Sequence, residues 1–154
     1  MTAAGTLSNS EIAIGPITDA DVDAVVQLWI DCDLTRPWND ARADIAQARR
    51  SGCADILVAR ASAGRVLATA MVGDDGHRGW LYYVAVVPDL QGSGLGRRMI
   101  AAAEDWMRAR GIAKSQLIIR ATNTKVRGFY ESLGYAEQPR VLMARWLDGR
   151  PITP

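Results

Sequence analysis

The chain has 154 residues, enough for one compact domain. Hydrophobic residues make up 49% and charged residues 23%, with a formal net charge of +1, so one core is well supplied and bulk charge argues against nucleic acid or a membrane surface as partner. Two cysteines, Cys32 and Cys53, and one histidine, His77, form neither a disulfide framework nor a zinc pattern; two buried, reduced thiols and no metal are expected.

Met1–Ser10 is small and polar, without the basic start and apolar stretch of a leader, and is expected to be a disordered N-terminus. No run approaches the ~20 apolar residues that span a bilayer. A cytoplasmic protein is expected, with its domain over 11–147 and a tail over 148–154. Alternating apolar residues make Glu11–Ile17 a strand. Thr18 and Asp21 form a variant capping box that opens a helix over Asp19–Asp33, with Val22, Val25, Val26, Trp29 and Ile30 at helical spacing. Leu34–Asn39 interrupts it. Asn39 can cap a second helix over Asp40–Arg50, and Gly52 ends that helix.

Asp55–Ala61 and Arg65–Gly73 read as a hairpin joined by Ser62-Ala63-Gly64. A turn over Asp74–Gly79 leads into a strand over Trp80–Val87, stopped by Pro88. Leu95–Arg110 is an amphipathic helix with Leu95, Met99, Ile100, Ala103, Trp106 and Met107 inward. A strand over Gln116–Ala121, a helix over Thr124–Leu133 and two strands, Tyr135–Gln138 and Arg140–Leu147, complete the order. Strand-rich ends around a strand–helix–strand unit predict an α/β fold on a mixed sheet of about seven strands flanked by about four helices.

Gln91-Gly92-Ser93-Gly94-Leu95-Gly96-Arg97 lies between a strand and a helix. Its glycines leave backbone N–H groups uncovered, so they can converge on an anion with help from the helix dipole. A tight structural turn would use the same glycines. A nucleotide P-loop would need Lys then Ser or Thr after the last glycine, where Arg97-Arg98 stand. A dinucleotide fingerprint would need G-x-G-x-x-G and a later acid, and Ile112–Asn123 holds none.

Val84-Ala85-Val86-Val87-Pro88 followed by Gln91-Gly92-Ser93-Gly94-Leu95-Gly96 resembles motif A of the GNAT acetyltransferases. Asn123 with Phe129-Tyr130-Glu131-Ser132-Leu133-Gly134-Tyr135 resembles their motif B. Leu28-Trp29, Cys32-Asp33-Leu34, Arg36–Asp40 and Asp75–Gly79 are similar to the bacterial YpeA-like subfamily. The resemblance covers about Glu11–Leu147 and implies the family fold and an acetyl-coenzyme A co-substrate. Val84, Ala85 and Val86 would then meet the pantetheine, Gln91–Arg97 the pyrophosphate, and Asn123, Phe129 and Tyr130 the rest of the cofactor.

Tyr130 would protonate the departing sulfur as general acid. Relatives often carry a carboxylate base on the central strand, and Trp80–Val87 has none. Asp74, Asp75 and His77, in the turn before that strand, are the candidates for a base acting through water, with His77 favoured because imidazoles as a class titrate near neutral pH, and a plain turn would use the same residues. Relatives border the acceptor with the loop that here holds Arg36 and Trp38. Arg36, stiffened by Pro37, would suit an acceptor carboxylate, and Asp75 would add a contact. The activity implied is acetyl transfer to a primary amine of a small molecule or peptide, by direct attack in a ternary complex. A non-catalytic acyl-CoA-binding or sensing module is the alternative, and a homodimer is left open.

Overall fold

The structure, a computed structural model, describes residues 9–153. The disordered N-terminus expected over 1–10 lies outside the described residues as far as position 8. The chain falls into two compact units, Met1–Ile118 and Ile119–Pro154.

The first unit is built on a five-stranded sheet in the order β1-β2-β3-β4-β5: β1 (Ile12–Pro16), β2 (Ala54–Ala61), β3 (Val66–Asp74), β4 (Gly79–Val86) and β5 (Ser115–Leu117). The first four pair antiparallel through short links, and β5 joins β4 in parallel after a helical crossover. That crossover contains α3 (Leu95–Arg108). Between β1 and β2 lie α1 (Val22–Asp31) and α2 (Ala41–Ser51).

The pleat decides which helix covers which face. Thr69 of β3 points at Trp29 of α1, at 2.9 Å. Asp74 is five residues on and so points the other way. Its β4 partner Gly79 lies against Met107 of α3, where an added Cβ would collide with the methionine. The sheet is therefore sandwiched between α1 and α3. Leu95, Met99, Ile100, Ala103 and Met107 are buried on α3 at the spacing that predicts one apolar face. Trp106, expected beside them, is half-buried, its ring covered by the Arg110 guanidinium at 3.4 Å.

The capping box forms as expected: the Thr18 N–H and hydroxyl both donate to Asp21, each at 2.7 Å. Residues Asp19–Asp21 make a 3-10 turn, so the α-helix starts at Val22. Arg60 of β2 grips the Asp21 carboxylate through both Nε, at 2.9 Å, and Nη2, and also donates to the Pro16 carbonyl at 2.8 Å. Asp21 is buried, and this pair ties the entry of α1 to two strands.

Asn39 does not cap α2. Asp40 does, accepting from Arg42 N–H at 2.9 Å and Ala43 N–H at 3.1 Å. Asp and Asn cap equally well, so the one-residue offset follows from where the chain first turns helical. Gly52 ends α2 at φ 70. The cysteines are free, but Cys32 is half-buried and Cys53 exposed, not buried as expected.

The second unit contains α4 (Thr124–Ser132). Asn123 caps it, accepting from Val126 N–H at 3.2 Å. Gly134, at φ 91, lets the chain leave the helix. Among the described residues the sheet has five strands, not about seven. Tyr135–Gln138 and Arg140–Leu147 are irregular among the described residues, with Val141, Met143 and Leu147 at 85–94% exposure. Alternation fits a chain to a sheet, but hydrogen bonds to a neighbouring strand make the strand.

Candidate active site

β4 is the spine of the site. Its register with β3 slips between Thr69 and Met71: they pair with Ala85 and Tyr82, so two steps on β3 oppose three on β4. The extra residue is a β-bulge. Tyr83 takes it up at φ 49, a left-handed conformation that costs a bulky side chain energy.

A hydrogen-bond chain holds the bulge. Trp29 Nε1 donates to the Thr69 hydroxyl, fully buried, which donates to the Tyr83 carbonyl at 3.0 Å. The Tyr83 ring stacks on Trp29 with centroids 3.9 Å apart. Its phenol donates to Asp44 Oδ2 on α2 at 2.7 Å. Burial first, then the Asp44 carboxylate, push the Tyr83 phenol well above its ordinary range.

Beyond the bulge the sheet opens. β4 pairs with β5 only at Gly79, Trp80 and Leu81, so Tyr82–Val86 have no β5 partner. Val84, Ala85 and Val86, the residues expected to meet the cofactor, lie on this unmatched edge. The Val86 carbonyl is engaged by Gln91 Nε2 at 3.1 Å and by the Cys32 thiol at 3.4 Å.

The strand runs into a 3-10 turn, Pro88–Leu90, and then the glycine-rich loop. Gly92 and Gly94 have φ of 79 and 90, and an added Cβ at either would meet no atom within 4 Å. Open space and glycine-only backbone coincide there, as an anion cradle requires. Gly94 caps α3 without a side chain. The first i→i−4 bond of that end runs from Arg98 to Gly94, at 3.2 Å, so the amides of Leu95, Gly96 and Arg97 stand ahead of the helical ladder. Arg98 Nη2 is spent on the Ile12 carbonyl at 3.1 Å, whereas Arg97 is exposed. The residues present fit a coenzyme A pyrophosphate.

The other expected residues are more dispersed. Asp75 holds the β3–β4 turn, accepting from His77 N–H at 2.9 Å, Arg78 N–H at 2.6 Å and Trp80 Nε1 at 2.9 Å. Those bonds, with the Arg78 amide foremost, lower its pKa to about 2. His77 is exposed in this turn. From Gly79 to Tyr83 the strand runs about 13 Å, and the glycine loop lies at its far end. A water relay from His77 would have to follow that length.

Arg36 folds back on its own loop, donating to the carbonyls of Asp33 at 2.8 Å and Thr35 at 2.6 Å and pairing with the Asp33 carboxylate at 3.4 Å. These contacts all use Nη1. Trp38 is 38% exposed. In the second unit, Tyr130 is buried edge-on between Phe129 and Tyr135, with centroids 5.1 and 5.4 Å away, and burial pushes its phenol above the ordinary range. Gly128, exposed on the same helix, has nothing within 4 Å of an added Cβ.

A family model described as Acetyltransferase (GNAT) family matches residues 22–135, spanning the bulged strand, the glycine loop and α4. The chain belongs to the GNAT acetyltransferase family. It is 38% identical over 128 residues to an acetyltransferase of Yersinia enterocolitica, covering 83% of this chain and 90% of that protein. An acetyltransferase of Sodalis glossinidius is 40% identical over 123 residues, 80% of this chain and 86% of its own. Among solved structures, AAC(6')-Iy in complex with the bisubstrate analog CoA-S-monomethyl-acetylneamine superposes with a TM-score of 0.75 at 19% identity, covering 88% of this chain and 97% of that one. At that identity the likeness carries the GNAT fold alone. Membership makes the chain an acetyltransferase, and a mixed sheet with helices of the α/β kind is the fold expected of it.

Tyr83, Asp44 and Thr69 were not singled out by sequence. A signal existed for Asp44: Ala41, Ile45 and Ala48 form the inward stripe of α2, and position 44 falls within it.

Proposed function

We propose that this GNAT protein transfers the acetyl group of acetyl-CoA to a primary amine of a small molecule or peptide, by direct attack in a ternary complex. The observation that carries the reading is the glycine cradle at the end of an opened β4 edge: anion-binding amides and unmatched strand backbone follow one another along one path. The AAC(6')-Iy complex adds support, since its bisubstrate analog joins CoA to an acetylated acceptor. Free cysteines suit a reducing compartment, in keeping with a cytoplasmic protein.

Acetyl-CoA supplies the acetyl group as an activated thioester. Gln91–Arg97 would bind its pyrophosphate, Val84 and Val86 would align its pantetheine arm, and Asn123 and Phe129 would add contacts. Tyr130 holds a proton at its phenol oxygen for the departing sulfur. Thiol release from acetyl-CoA, followed over a panel of primary amines, amino acids and short peptides, tests the reading. Turnover on at least one class is expected. Binding of acetyl-CoA without turnover on any of them would instead assign the chain to acyl-CoA sensing.

Two substitutions probe the cofactor path. Gly94→Val puts a β-branched side chain at φ 90, in space the pyrophosphate would fill. Acetyl-CoA affinity should fall by about tenfold or more, read by calorimetry on protein whose circular dichroism matches wild type; unchanged affinity would move the cofactor elsewhere. Gly128→Ala separates stability from binding. Alanine should stabilise α4 by about 1 kcal/mol, because nothing in the protein opposes its Cβ. If the cofactor passes over Gly128, the same methyl weakens acetyl-CoA binding while the melting temperature rises.

A further inference from the structure

β4 reads Gly79-Trp80-Leu81-Tyr82-Tyr83-Val84-Ala85-Val86 and carries no carboxylate. One nevertheless reaches the bulge, from α2. We propose that Asp44, held by Tyr83, binds the ammonium of the acceptor and takes its proton, standing in for a carboxylate on the strand itself. The proposal rests on the acetyl-transfer reading above.

Several observations converge on Asp44. It sits in the inward stripe of an amphipathic helix, half-buried, so it is not a solvated surface charge. Its Oδ2 is fixed by the Tyr83 phenol, while Arg42, two residues earlier, turns away to Asp23 of α1 at 2.6 Å. The group holding it is the strained residue of β4, kept in place by Trp29 and Thr69. A left-handed tyrosine pinned from several sides signals that its position is needed.

The unmatched edge of β4 starts at Tyr82, next to this pair. Tyr82 is 47% exposed and stacks near Trp80, centroids 6.4 Å apart. The exposed Tyr82 ring, adjacent in sequence to Tyr83, would add cation–π attraction for a primary ammonium to its charge pairing with Asp44. Tyr83 from β4 faces Asp44, and the Arg42–Asp23 pair lies between α1 and α2.

The proton balance is simple. The ammonium N–H bond breaks and an O–H forms on Asp44. The freed nitrogen lone pair forms the C–N bond to the acetyl carbon, and the nitrogen, now cationic, gives up a second proton to water; the C–S bond breaks, the sulfur receives a proton from Tyr130, and Tyr130 regains one from water. Asp44 then returns its proton to water.

Asp44→Asn keeps the shape and removes the charge and the base. It should lower kcat/KM by about 10² for the alkylamine that wild type acetylates fastest in the panel above, with acetyl-CoA affinity unchanged by calorimetry. With hydroxylamine, which is neutral at pH 7, the loss should be much smaller, and with the alkylamine it should narrow as pH rises and more amine arrives unprotonated. Tyr83→Phe, which keeps the stack on Trp29, should lose about tenfold as a positioning variant, and Asp44→Glu should recover part of the activity lost in Asp44→Asn. Wild-type turnover in Asp44→Asn, or an equal loss on hydroxylamine, overturns the proposal. Should Asp44→Asn fold poorly, Asp44→Glu and Tyr83→Phe carry the test, and full activity in both overturns it. A wild-type chain that binds acetyl-CoA but acetylates no amine brings down the acetyl-transfer reading and this inference together, an outcome the binding measurement tells apart from loss in the variants alone.

Discussion

Tyr130→Phe is expected to lower turnover by about 10²–10⁴, the usual worth of a positioned general acid, or about 3–5 kcal/mol of activation free energy. The residue is buried on α4 between two aromatic rings, and burial keeps its hydroxyl protonated at neutral pH. The phenol therefore carries the proton that the proposed acid role needs. Phenylalanine fills the same volume and retains the edge-on contacts to Phe129 and Tyr135, so the melting temperature should hardly move. Acetyl-CoA affinity should hold as well, because the effect belongs to the transition state. Steady-state kinetics with a single good amine gives the answer. Turnover within about twofold of wild type would hand the acid role to water or to another side chain.

Asp21→Ala should cost about 3 kcal/mol of folding stability, the lower end for a broken buried pair, since the Arg60 side chain keeps 21% exposure. Asp21 is 5% exposed, and its carboxylate serves Arg60 and the Thr18 capping box at once. Removing it leaves a cation beside β1 and β2 without its partner. Arg60, then Thr18, hold the Asp21 carboxyl well below its usual range against the opposing effect of burial. The folded-state value is depressed, so this contribution is present above the unfolded value of about 4 and is lost as pH falls below it. Urea melts at pH 7 and pH 3 should show wild type losing stability in acid and Asp21→Ala losing less. Equal acid sensitivity in both proteins would mean that other carboxylates govern the transition. Replacing Arg60 by methionine in the Asp21→Ala background should return part of the lost stability, because the unpaired charge is then gone.

Much of the fold was legible because its devices are local. The Thr18–Asp21 box, the stop at Gly52 and the stripe of α3 each lie within a few residues and obey fixed spacings. The glycine cradle was legible for the same reason: its backbone demand is written into Gly92 and Gly94. What escaped was long-range. Tyr83 looks like any strand tyrosine, and only the slip against β3 turns it left-handed. Its bond to Asp44 spans 39 residues. Asn39 suits a cap by type, yet Asp40 takes that place, because the chain turns helical one residue later. The last two strands failed because alternation records how a segment would sit in a sheet, and hydrogen bonds decide whether it does.

The two thiols differ in a way that is useful at the bench. Cys32 is half-buried, donates to the Val86 carbonyl, and burial pushes its pKa up, so little of it is the reactive thiolate near neutrality. Cys53 is exposed at the approach to β2, on the far side of β3 from the bulged strand. A maleimide dye added at pH 7 should therefore attach at one position in the unmodified protein. That gives a fluorescent reporter for acetyl-CoA titrations without any cysteine substitution.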